Sequence, residues 1–100
     1  MIRHIVLFRF KETAEGRTKA ENVAIARQKL EALPPLIPQI RALKVYDNCN
    51  FNGTNSDLAL IADYDSLDDL EIYRVHPDHV AVGVFMRATT EASARFDFVV

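Results

Sequence analysis

The sequence predicts an α+β domain in which one antiparallel sheet carries helices on a single face. Three observations lead there. Four segments have the apolar patterning of strands, three have helical spacing, and they follow one another in the order β-α-β-β-α-α-β. One hundred residues suffice for one domain, spanning 1–100, and are too few for two.

The first strand occupies residues 2–11. His4, Val6, Phe8 and Phe10 share one parity, and Ile5 and Leu7 share the other. Apolar residues on both parities predict burial on both faces at the strand's centre. Gly16 and its polar neighbours form a loop. From about Thr18 to Leu33 the spacing turns helical, with Val23, Leu30 and Leu33 on one stripe among good helix formers. Pro34-Pro35 stops this helix, because proline lacks the amide proton and clashes with the preceding turn.

Ile40 to Tyr46 reads as the second strand. The Asn-rich stretch from Asp47 to Asp57, with Gly53, is a turn, and Leu58 to Tyr64 is the third strand. Ser66 followed by Asp69 starts a short helix through Leu67, Leu70 and Tyr73. His76-Pro77 breaks it and opens another, running to about Ala88, since proline is best tolerated at a helix's first position. Ala94 to Val100 closes the chain as the fourth strand, with Phe96 and Phe98 opposite in parity to Arg95 and Asp97. This order is the ferredoxin-like, split βαβ plan: a four-stranded antiparallel sheet with helices on one face.

Helices cover only one face of such a sheet. Ile5, Leu7, Leu43, Val45, Ala59, Ile61, Phe96 and Phe98 include too many large apolar groups for the other face to stay wet. Burying each large one contributes about 1.5–3 kcal/mol, so leaving several exposed forfeits on the order of 10 kcal/mol. That matches the whole stability of a domain, about 5–15 kcal/mol. A homodimer with sheets packed face to face follows as the expectation.

The composition narrows the partners. A formal charge of −2 gives no reason to expect nucleic acid. No apolar run approaches the roughly 20 residues that span a bilayer, so no membrane partner is expected. The single cysteine, Cys49, excludes an intrachain disulfide and fits the cytoplasm.

The opening His4-Ile-Val-Leu-Phe-Arg-Phe10, the pattern Tyr73-Arg-Val-His76-Pro77-Asp-His79-Val80 and the closing Phe96-Asp97 resemble the dimeric α+β barrel (Dabb) family, the stress-responsive A/B barrel proteins. The resemblance spans essentially the whole chain, and Tyr-x-x-His-Pro-x-His is its most specific part. It implies a ferredoxin-like homodimer whose two sheets form a barrel. Most members have no established activity, some plant members are stress-linked, and a few are cofactor-free polyketide cyclases. Cofactor-free monooxygenases share the fold but lack the His-Pro-x-His segment.

In the cyclases that the chain resembles, a histidine matching His79 is the general base, and a tyrosine matching Tyr73 binds the substrate carbonyl. An aspartate matching Asp97 orients the histidine. Imidazole can remove an activated α-proton, a phenol can stabilise the enolate oxygen, and a carboxylate can fix the tautomer. The resemblance implies no cofactor. The candidate ligand-binding set adds His4, Val6 and Phe8 on the helix-facing parity, with Leu60, Arg27, Arg74, His76 and Arg95. His76 and His79 sit three apart near a helix start and could share a face. That spacing also invites a zinc reading, but transition-metal sites normally need more ligands, and no metal is expected.

The chain departs from the cyclases where Val23, Ala24 and Arg27 replace aromatic pocket residues and Arg74 replaces an apolar one. A more basic cavity follows, favouring a ligand that bears a carboxylate. A structural reading stands beside each functional one. His76 can be a helix-start residue held by backbone hydrogen bonds, His79-Asp97 a tie between helix and strand, Tyr73 core packing, and Arg27 a partner of Glu31. Three functions therefore remain open: a small-molecule-binding homodimer, a cofactor-independent cyclase or isomerase, and a non-catalytic structural dimer.

Overall fold

The computed structural model describes residues 1–100. Its elements are β1 (Ile2–Phe10), β2 (Thr13–Ala14), β3 (Arg17–Thr18), α1 (Lys19–Glu31), β4 (Ala42–Asp47), β5 (Leu58–Tyr64), α2 (Leu67–Val75), α3 (Pro77–Thr89) and β6 (Thr90–Val99). The main sheet has the order β4-β5-β1-β6, and its three pairings are all antiparallel. This is the ferredoxin-like α+β arrangement that the element order predicts.

The stretch read as a loop around Gly16 is a small hairpin instead. Glu15 and Gly16 both adopt positive φ, at 54° and 72°, the geometry that lets a two-residue turn follow the twist of its strands. Asn22 on α1 pins this hairpin. Its amide donates to the Ala14 carbonyl, and its Oδ1 accepts from Arg17 Nε. The buried face of α1 is accordingly Asn22, Ala26 and Leu30, with Val23 only half-buried. Thr18 and Glu21 form a reciprocal capping box at the start of that helix. Ile40, expected to open the second strand, sits in the turn before β4 as a buried anchor beside Ile37.

Register decides which side chains share a face. Val45, Leu60, Val6 and Arg95 lie in one row across the sheet, and Leu43, Ala62, His4 and Asp97 in another. Val6, Val45, Leu60 and Ala62 are buried in the core beneath the helices, so Leu43 and Val45 belong to the helix side. Their assignment to the free face is corrected. The free face carries Ile5, Ile61 and Phe96 in one row and Leu7, Ala59 and Tyr46 in the next. Within one chain Phe96 stays 66 % exposed, Tyr46 49 % and Leu7 41 %. Burial on both faces of β1 is therefore not reached by one chain alone.

Candidate functional site

The site is built around the break between α2 and α3. Pro77 cannot extend α2, so that helix ends at Val75 and α3 restarts at Pro77, with His76 between them. A terminating helix leaves its last carbonyls without intrahelical partners. Here the Arg74 carbonyl accepts a hydrogen bond from His79 Nδ1–H at 2.9 Å. Because a carbonyl only accepts, this bond places the His79 proton on Nδ1 and leaves Nε2 as a free lone pair when the ring is neutral. Burial pushes the His79 pKa below its ordinary value. The Arg74 carbonyl opposes that shift, while the positive guanidinium groups of Arg95 and Arg74 reinforce it.

Tyr73, on the last turn of α2, is buried, and its ring centroid lies 4.2 Å from that of His79. Burial pushes its phenol up to about 12, so it remains a neutral hydrogen-bond donor at physiological pH. Tyr64 lies beneath it, fully buried, with ring centroids 5.2 Å apart. Burial raises the Tyr64 phenol further still. Its oxygen stands near Tyr73 but has no well-aligned hydrogen bond.

The expected link between His79 and Asp97 is not formed. Asp97 is directly opposite His4 in the β1–β6 pairing, and its carboxylate accepts a 2.5 Å bond from His4 Nδ1–H. A carboxylate cannot donate in its ionised form, so this bond likewise fixes the His4 tautomer. The ring of His4 is buried and lies 6.4 Å from Tyr73 and 6.3 Å from Tyr64. Asp97 thus orients the histidine of the strand, and a backbone carbonyl orients the histidine of the helix.

His4, Tyr73, His79 and Asp97 line a cavity of about 750 Å³ between the helices and the sheet, and Tyr64 lies outside its wall. His4, Val6, Phe8, Leu60, Tyr73, Arg74, His79, Arg95 and Asp97 all contribute to its wall. Arg27 does not. Its guanidinium bonds Glu31 at 2.9 Å and Asp47 at 2.6 Å, tying α1 to β4 away from the cavity. His76 is also outside the wall, because its Nδ1 accepts from the Asp78 amide as the cap of α3. Sequence reasoning missed Gly83, Met86 and Arg87. Spacing of four residues from His79 points to Gly83 and Arg87. No group of three or more His, Cys, Asp or Glu side chains is placed to hold a metal ion. No helix is long and apolar enough to cross a membrane.

The fold and the cleft together define a ferredoxin-like α+β protein with a histidine–tyrosine pocket between sheet and helices. The sequence profile of the Stress responsive A/B Barrel Domain, Dabb, matches residues 2–100, and the chain belongs to that family. It is similar to a dimeric protein of unknown function and ferredoxin-like fold from Bacteroides fragilis NCTC 9343. That similarity is 34 % identity and a TM-score of 0.87, covering 99 % of this chain and 95 % of the other. A dimeric ferredoxin-like protein of unknown function from Thermobifida fusca YX shares 28 % identity at a TM-score of 0.84, covering 99 % and 90 %. A hydroxynitrile lyase from Passiflora edulis shares the fold at 14 % identity and a TM-score of 0.83, covering 99 % and 92 %. Among curated proteins none matches.

Proposed function

We propose that the protein is a homodimer, joined through its free sheet faces, whose protomers each bind a small organic ligand in the cleft between sheet and helices. The dimer is supported by the apolar face carrying Phe96, Tyr46 and Leu7 and by the dimeric relatives from Bacteroides fragilis and Thermobifida fusca. The ligand site is supported by the cavity, whose wall combines apolar side chains with a few convergent polar groups. Cys49, free and exposed, suits a reducing compartment such as the cytoplasm.

One observation favours a second reading, a cofactor-independent cyclase or isomerase. His79 presents a free Nε2 beside a neutral phenol, with its Nδ1–H held by the Arg74 carbonyl. In that reading Nε2 takes the proton from a carbon next to a ligand carbonyl, and the Tyr73 hydroxyl donates to the enolate oxygen. Asp97 acts through His4.

Deuterium exchange tests both readings without a known substrate. In D2O the protein should speed exchange of the α-protons of a 1,3-diketone such as acetylacetone, and His79→Gln should lose that acceleration at an unchanged melting temperature. Binding of small ketones without exchange leaves a ligand-binding dimer. Neither binding nor exchange leaves a non-catalytic structural dimer and rejects the proposed cleft function.

A further inference from the structure

Three arginines line the cleft besides its histidines: Arg74, Arg87 and Arg95. Arg74 is held by Glu71 through bonds of 2.8 and 2.6 Å. Arg87 and Arg95 have no hydrogen-bond or ion-pair partner of their own, although the chain as a whole carries a net charge of −2. The other charged groups of the wall are already engaged, Glu71 by Arg74 and Asp97 by His4. Two arginines whose guanidinium groups have no partner therefore line one cavity, Arg87 from α3 and Arg95 from β6, and both are exposed to solvent.

Their placement is specific. His79, Gly83 and Arg87 recur every four residues and so share one face of α3. The Arg87 side chain folds back toward the helix start, and a Cβ built on Gly83 would stand 3.3 Å from its Nη1. Glycine at that position leaves room for the guanidinium to lie over the helix one turn from His79, roughly 6 Å along the axis. Arg95 sits opposite Val6 in the β1–β6 register and two residues from Asp97, which puts it on the same helix-facing side as Asp97.

We infer that the cleft selects oxo-carboxylates, with the carboxylate held between Arg87 and Arg95 and the carbonyl reaching Tyr73 and His79. Guanidinium groups match carboxylates in shape and in paired N–H donors. The inference rests on the proposed ligand site and names the class of ligand it accepts.

The test is an NMR titration of the full-length protein with 5-oxohexanoate and, separately, with its methyl ester, following the ring signals of His79. The acid should bind at least about tenfold more tightly than the ester, the gain expected from hydrogen bonds to a charged group. Arg87→Gln combined with Arg95→Gln should erase that preference, bringing the acid's affinity down to the ester's. Equal affinity for acid and ester in the unmodified protein, with both moving the His79 signals, overturns carboxylate selection and leaves the ligand site standing. A preference that persists in the double variant overturns the assignment to Arg87 and Arg95. If neither compound moves those signals at millimolar concentration, the ligand site itself fails and this inference with it.

Discussion

Replacing Asp97 by alanine separates the observed wiring of the site from the one the sequence alone suggests. In the structure the only side chain bonded to Asp97 is His4, at 2.5 Å, while His79 is served by the Arg74 carbonyl. Asp97→Ala therefore leaves the His4 N–H without its acceptor in a side chain only 10 % exposed. An unpaired buried donor costs about 1–3 kcal/mol. The Asp97 side chain is 39 % exposed, so water can replace part of the lost bond, which brings the cost to about 1–2 kcal/mol. For a chain of this size that lowers the melting temperature by roughly 4–16 °C. Calorimetry gives the shift, and nitrogen NMR of the imidazoles gives the tautomers. His4 should lose its fixed Nδ1–H form, and His79 should keep its own. A changed His79 tautomer beside an unchanged His4 would refute the assignment.

Phe96→Ser tests the sheet-to-sheet dimer. The ring is 66 % exposed in one chain, so covering it is worth about 1–2 kcal/mol per protomer, doubled by two-fold symmetry. The dimer Kd should weaken by roughly 30- to 1,000-fold in sedimentation equilibrium, and an unmodified protein that is monomeric at micromolar concentration defeats the idea. His79 predicts a pH dependence. Its folded pKa lies below 6.5, so the unfolded chain takes up a proton there first. Its effect on stability is nil above about pH 6.5 and grows unfavourable as pH falls toward the folded value. Urea unfolding at pH 7.5 and 5.5 should show a smaller loss in His79→Gln than in the unmodified protein, and parallel losses contradict the prediction. Tyr64→Phe removes a buried hydroxyl that lacks a well-aligned partner, so the melting temperature should hold or rise, by up to about 1 kcal/mol of stability. A marked fall would mean that the hydroxyl is paired.

The strands and helices were legible because burial writes itself into spacing. The apolar run of β5 and the proline stops after α1 and α2 left clear marks. Parity on β4 was not legible, because Leu43 and Val45 alternate with Lys44 and Tyr46, long side chains that tolerate either face. Register against β5 settled it. Most of the expected residues line the cleft, Arg27 and His76 excepted, but the bonds between them were not legible. Which carboxylate meets which histidine depends on strands 93 residues apart in sequence, His4 and Asp97, and no local pattern records that pairing. Arg27 misled for a related reason. It sits on the face of α1 that reaches Asp47 on β4, a contact only the tertiary fold creates.

The spacing Tyr-x-x-His-Pro-x-His follows from how one helix must end for another to begin. Tyr73 occupies the last buried position of α2, His76 caps α3, and Pro77 enforces the break. Those constraints place His79 in the first turn of α3, within reach of the Arg74 carbonyl that the break itself leaves open. Continuous helix across residues 74–79 would bond that carbonyl to the amide of residue 78 and leave the His79 ring free to choose its tautomer. The helix break thus supplies the acceptor that holds Nδ1–H and leaves Nε2 without a proton in the neutral ring. Replacing Pro77 by alanine gives the two helices a chance to fuse. If they do, the fixed tautomer of His79 disappears with the break, even though no residue of the cleft wall has changed.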